Sequence, residues 1–118
     1  MNWVRVPDQE TVEVCRKGIA ELERVFLFFS SGDCPPCARL HETFNRLLAT
    51  ENWKKDYVIY DIDAENAMEL IREYKVMQVP TVFFISNGKR SDWMIGSKID
   101  RPLTDKRIIN KFKKFLGA

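Results

Sequence analysis

The run Val25-Phe-Leu-Phe-Phe29, ending in Ser30, carries five consecutive apolar residues with no polar alternation. Successive side chains of a strand point to opposite faces of a sheet, so a strand of this composition is buried on both sides. The sheet that holds it needs a covering layer over each face. The periodicity of the flanking sequence says that those layers are helical.

Val4 and Val6 alternate with polar residues as in a short strand, which Pro7-Asp8 ends while offering a helix N-cap. Val12, Cys15, Ile19 and Leu22 then recur at helical spacing. After the buried strand, Leu40, Phe44, Leu47 and Leu48 predict a helix to about Thr50. Tyr57 to Ile62 reads as a strand, and Asp63 as the cap of a helix whose apolar stripe is Ala67, Leu70, Ile71 and Tyr74. Thr81–Ser86, then Asn87-Gly88, then Trp93–Ile95 reads as a hairpin, since Asn-Gly supplies the positive φ angles of a tight turn. Thr104 caps a last helix with Ile108, Ile109, Phe112, Phe115 and Leu116 inward and Gly117 at its end. The order βαβαβαββα implies an α/β fold with a mixed sheet between helices. No linker, repeat or low-complexity segment interrupts residues 1–118, which are read as a single domain.

The formal charge of +2 comes from 19 basic and 17 acidic residues spread along the chain, with a basic cluster only in the last dozen, so nucleic-acid binding is not indicated. Lys106, Arg107, Lys111, Lys113 and Lys114 in that cluster read as a solvated helix face, with a partner-docking patch as the alternative. No 18-residue apolar run is present and the first residues lack a signal-peptide core, giving the expectation of a soluble, cytoplasmic protein. Three cysteines cannot form the fully paired framework of a small secreted protein.

The chemistry concentrates in Ser30-Ser-Gly-Asp-Cys-Pro-Pro-Cys37. Each proline pushes the residue before it out of the α region, so Cys34 and Pro35 are expected to be extended and the helix to start near Pro36. At that helix mouth the free N–H groups of Cys37 and Ala38, with the positive end of the dipole, favour a thiolate on Cys34. Two cysteines so spaced approach within disulfide geometry. In the redox reading the exposed Cys34 attacks a substrate disulfide and Cys37, one turn inward, resolves the mixed disulfide. A structural staple remains open, as does a zinc set of Cys15, Cys34, Cys37 and His41 or a cluster bridged between two chains.

Phe29-x4-Cys34-Pro-Pro-Cys37, Asp61-Ile-Asp63, Val79-Pro80-Thr81, Asn87-Gly88 and Gly96 stand in the order and at the spacing of the thioredoxin family, which nearly the whole chain resembles. The resemblance implies a thioredoxin fold, a mixed five-stranded sheet flanked by about four helices. It implies a protein-disulfide reductase with a cis peptide before Pro80, which shapes a substrate groove together with Pro35, Pro36, Val79, Thr81 and Gly96. It further implies no bound cofactor, a monomer, and electrons from a flavin-dependent thioredoxin reductase or another dithiol. A disulfide oxidase or isomerase, and a non-catalytic binding module, are the alternatives on the same fold.

The chain departs from the family pattern in three respects: the residues around the first cysteine, the buried carboxylate with its lysine partner, and the aromatic before the loop. Asp33 precedes the first cysteine, where an acid opposes a thiolate, and Pro35 replaces glycine. The family's buried carboxylate, six residues before the first cysteine, falls on Phe28, and its lysine partner on Ile59. The aromatic four residues before Cys34 is Ser30. His41, one turn after Cys37, is a candidate proton acceptor in place of the carboxylate. Cys15 reads as a small core hydrophobe, and Trp3, Trp53 and Trp93 as packing residues with no tie to the site.

Overall fold

A computed structural model of the chain describes residues 2–96 and 103–117. Five strands, β1 (Trp3–Val6), β2 (Arg24–Ser30), β3 (Val58–Asp63), β4 (Thr81–Ser86) and β5 (Lys89–Ile95), form one sheet in the order β1-β3-β2-β4-β5. β1, β3 and β2 run parallel, while β4 pairs antiparallel with β2 and β5 with β4. Four α-helices accompany them: α1 (Val12–Glu21), α2 (Pro35–Leu48), α3 (Met68–Glu73) and α4 (Asp105–Leu116).

β2 lies at the centre of the sheet, and its residues 25–29 are all fully buried, as the apolar run requires. Alternation divides it between two cores. Phe26 and Phe28 join Ile59, Val82 and Phe84 under α2 and α4, supplying Leu40, Phe44, Ile108 and Phe112. Val25, Leu27 and Phe29 join Tyr60, Ile62, Phe83 and Ile85 on the other face with Val12, Cys15 and Leu70 of α1 and α3. Phe26 anchors the first core, with its ring edge-to-face against Phe44, Phe84, Phe112 and Phe115 at 4.9–5.6 Å.

Several elements differ locally from the expectation. The inner stripe of α1 is Val12, Cys15 and Gly18, while Leu22 is 37% exposed beyond the helix end. Gly18 lets α1 approach Tyr60, whose ring would overlap any side chain there. Asp8 caps a single 3₁₀ turn, Gln9–Thr11, which leads into α1. Asp63 does not cap α3. Its carboxylate accepts from the Glu65 N–H and from Asn66 Nδ2, both at 2.9 Å, making an Asx turn before a helix whose cap position is Ala67.

The hairpin turns at Asn87 (φ 51°) and Gly88 (φ 81°), as a type I′ turn demands. Its second strand starts at Lys89, earlier than the apolar pattern suggested, because a bulge opposite Phe84 and Ile85 leaves Ser91 without a Cα partner and breaks the alternation. Thr104 Oγ1 accepts from the Arg107 N–H at 3.3 Å to cap α4, and Gly117 (φ 74°) ends it. On α4, Lys106, Arg107, Lys113 and Lys114 are exposed, and Lys111 reaches Asp92 at 2.8 Å, as a solvated face would have it. Among the described residues no helix is long and apolar enough to cross a membrane.

Candidate active site

The loop 31–34 leaves the C-terminal end of β2 and turns directly into α2. Cys34 is extended (φ −146°, ψ 92°) at the cap position, and the helix opens with Pro35 and Pro36, one residue earlier than expected. Proline's fixed φ suits the first helical positions, and its missing N–H is one that the first turn leaves unpaired in any case. Cys34 and Cys37 are joined as a disulfide with Cα atoms 5.2 Å apart. Cys34 is half-buried, whereas Cys37 is 4% exposed on the stripe it shares with Leu40 and Phe44. Burial alone therefore distinguishes the more accessible cysteine from the hidden one.

Of the two backbone donors expected to reach Cys34 Sγ, one does. The Cys37 N–H donates to Cys34 Sγ at 3.2 Å, while the Ala38 N–H donates to the Cys34 carbonyl at 3.1 Å as the first bond of the helix. Asp33 is exposed beside the pair.

Pro80 closes the neighbouring wall. The Val79–Pro80 peptide is cis, Pro80 is buried and Val79 half-buried. Thr81 is buried, its hydroxyl donating to the Gln78 carbonyl at 2.7 Å. The Gly96 N–H donates to the Pro80 carbonyl at 3.0 Å, and a Cβ at Gly96 would stand 2.6 Å from Pro80 Cγ and 3.2 Å from Leu40 Cδ2. Glycine here lets Pro80, the end of β5 and the inner face of α2 meet one helical turn from Cys37. Pro35 is exposed and Pro36 half-buried on the rim. Met77, three residues before Pro80, is 90% exposed, an apolar side chain that the sequence reading did not single out.

His41 faces away from that wall. Its ring stacks on Trp3 of β1 with centroids 4.0 Å apart and meets the edge of Phe28 at 6.0 Å. Trp3 Nε1 donates to Asn45 Oδ1 at 2.6 Å, and Asn45 Nδ2 lies 3.4 Å from His41 Nδ1. An indole N–H only donates, so it fixes which end of the Asn45 amide faces His41. His41 Nδ1 is then an acceptor, and the proton of the neutral ring sits on Nε2. Trp3 thus does touch the neighbourhood of the site, contrary to the reading that left all three tryptophans apart from it. Trp53 caps the end of α2 through the Leu48 carbonyl at 2.8 Å, and Trp93 is 48% exposed on β5.

Phe28 and Ile59, which stand at the family's carboxylate and lysine positions, are both fully buried in the apolar core. A carboxylate does lie beside them, on Asp61. It is 8% exposed, accepts from Ser30 Oγ at 3.1 Å through Oδ1, and pairs with Arg5 at 3.4 Å through Oδ2. Its neighbours come from strands 31 and 56 residues away in sequence, which no local pattern reveals. Cys15 is fully buried in the opposite core, where loss of hydration pushes its thiol up to about 12 against a smaller opposing pull from Arg16. Among the described residues no group of three or more potential metal ligands comes together, so Cys15, Cys34, Cys37 and His41 do not form the zinc set.

A family model described as a thioredoxin-like domain matches residues 16–99, more than half of the chain. The chain is 32% identical over 74 residues to a thioredoxin of Mycoplasmoides gallisepticum, covering 63% of this chain and 71% of that relative. It is 26% identical over 72 residues to the chloroplastic thioredoxin M-type of Spinacia oleracea, covering 61% of this chain but 39% of that longer relative. The solved structure of oxidized thioredoxin O2 from Arabidopsis thaliana superposes with a TM-score of 0.78 at 15% identity, over 98% of this chain and 95% of that one, which shows the shared fold. The chain belongs to the thioredoxin-like domain family, and its Cys34–Cys37 pair is that of a thiol–disulfide oxidoreductase.

Proposed function

We propose that the chain reduces protein disulfides by two successive exchanges, with Cys34 as nucleophile and Cys37 as resolving thiol. The observation that carries this reading is the unequal burial of two bonded cysteines at a helix mouth: Cys34 is partly exposed and Cys37 is 4% exposed. The Cys34 thiolate attacks a substrate sulfur, and the electron pair of the substrate disulfide leaves on its other sulfur. Cys37 then attacks Cys34, forming the intramolecular disulfide and releasing the second substrate thiolate. An extended substrate segment lies along the backbone of Val79 beside Pro80 and Thr81, over the rim formed by Pro35, Pro36 and Gly96.

The oxidised pair is recharged by a flavin-dependent thioredoxin reductase or another dithiol, and the chain works as a monomer. A cytoplasmic, thiol-reducing setting belongs to the same proposal, since it suits an odd cysteine count with Cys15 buried and unpaired. Insulin reduction in the presence of a dithiol tests the reading. Wild type should turn over and both Cys34→Ser and Cys37→Ser should not; a wild type that fails to accelerate the reaction overturns the reductase reading.

A further inference from the structure

We propose that Asp61, through the hydroxyl of Ser30, accepts the proton of Cys37 when the mixed disulfide is resolved, a role that rests on the two-step exchange proposed above. A thiol must ionise before it attacks. The residue six before Cys34 is a fully buried phenylalanine, which accepts nothing.

Asp61 pairs across the strands with Phe28 and, two residues apart from Ile59 on β3, shares the sheet face covered by α2. Ser30, two residues beyond Phe28, lies on that same face at the end of β2 and donates to Asp61 Oδ1. Three contacts of α2 locate Cys37 relative to them. Leu40 lies toward Pro80 and Gly96 on the β4–β5 side, His41 lies against Trp3 on the β1 side, and Phe44 packs on Phe26 and Phe28 of β2. Cys37, one turn earlier on the same inward stripe, therefore stands over the C-terminal ends of β2 and β3, where Ser30 and Asp61 are.

A serine hydroxyl donates and accepts at once, so it can pass a proton on without holding a charge. The Cys37 Sγ–H proton passes to Ser30 Oγ as the Ser30 proton passes to Asp61 Oδ1. The Cys37 thiolate attacks Cys34 Sγ, the Cys34–Cys37 bond forms, and the bond from Cys34 to the substrate sulfur breaks with its electron pair on the substrate. Asp61 returns the proton to water. Among the described residues the charged side chain in contact with Asp61 is Arg5 on β1; Asp63 follows two residues on along β3, and α2, which covers this face, carries Cys37 and His41. His41 is the competing acceptor, but its unprotonated nitrogen is already turned to Asn45.

A single turnover of the reduced full chain with an aromatic disulfide that releases thionitrobenzoate separates the steps. The first colour release reports attack by Cys34, and the second reports resolution by Cys37. Asp61→Asn should leave the first rate unchanged and slow the second by about tenfold or more at pH 7, with the deficit shrinking toward pH 9 as Cys37 ionises unaided. Ser30→Ala should show the same pH-dependent loss, which carries the test if Asp61→Asn does not fold. His41→Gln should resolve like the wild type. A wild-type pH profile for the second phase in both Asp61→Asn and Ser30→Ala, or the loss appearing in His41→Gln instead, overturns the assignment. A wild type with no second phase defeats the two-step exchange itself, and the relay with it.

Discussion

A methyl group added at Gly96 would land 2.6 Å from Pro80 Cγ and 3.2 Å from Leu40 Cδ2. Carbon atoms in good contact sit about 3.5–4.0 Å apart, so Gly96→Ala forces a separation of about 1 Å between the end of β5 and the proline ring. The ring is closed and gives little by pucker, and the 3.0 Å hydrogen bond from Gly96 to the Pro80 carbonyl ties the two segments together. The movement is therefore passed to Pro80 and Val79, the wall against which substrate is proposed to lie. Overpacking of this kind costs about 1–3 kcal/mol, which for a chain of this size lowers Tm by about 4–12 °C. A displacement approaching 1 Å at a positioning wall costs up to about 100-fold in rate, so kcat/KM for insulin reduction should fall by about tenfold or more. Alkylation of Cys34 by iodoacetamide should change less than about twofold, because the thiol and its backbone donor are untouched. Both quantities are read on one preparation, by turbidity and by thermal denaturation. A Gly96→Ala protein that melts and reduces insulin like the wild type would refute the argument that Gly96 sets the groove.

In the reduced native protein Cys34 should be alkylated first, Cys37 slowly and Cys15 not at all below about pH 9, since Cys15 is fully buried and its thiol is pushed up to about 12. Mass mapping of the labelled peptides checks this, and rapid native labelling of Cys15 would contradict it. Because the folded state keeps Cys15 protonated beyond the range in which an unfolded thiol ionises, its contribution to stability is complete below about pH 9 and is lost as pH rises toward 12. Cys37→Ser should accumulate mixed disulfides through Cys34 in a lysate, released by excess dithiol, whereas Cys34→Ser should trap none.

The sheet was legible because its signals are local. An unbroken apolar run marked β2, Asn87-Gly88 marked the hairpin, and Thr104 and Gly117 bracketed α4, each a rule about neighbouring residues. The redox pair was legible for the same reason, since two cysteines around two prolines fix their own geometry at a helix start. What escaped depended on register and close approach. Gly18 faces the core because α1 nestles against Tyr60, which a search for apolar periodicity cannot find, so that search runs through Leu22 instead. Asp63 looked like a helix cap but spends its carboxylate on the turn before α3. The Ser30–Asp61–Arg5 chain joins three strands, and the Trp3–Asn45–His41 chain joins β1 to α2. Both are visible only once the parallel pairing of β1, β3 and β2 is known.

The reduction potential of the Cys34–Cys37 pair tests most directly whether this chain is a reductase. Stabilising the nucleophile's thiolate favours the dithiol and makes a stronger oxidant. Here Cys34 Sγ receives one backbone N–H, Asp33 stands beside it, and only prolines lie between the cysteines, so no cationic side chain from between them adds to the helix dipole. Equilibration of the full chain against a graded series of glutathione and dithiol buffers should place the couple near a thioredoxin-like value of about −270 mV, with the pair almost wholly oxidised in a buffer poised near about −180 mV. A pair found mostly reduced in that buffer would contradict the account and make the chain an oxidant of the same fold.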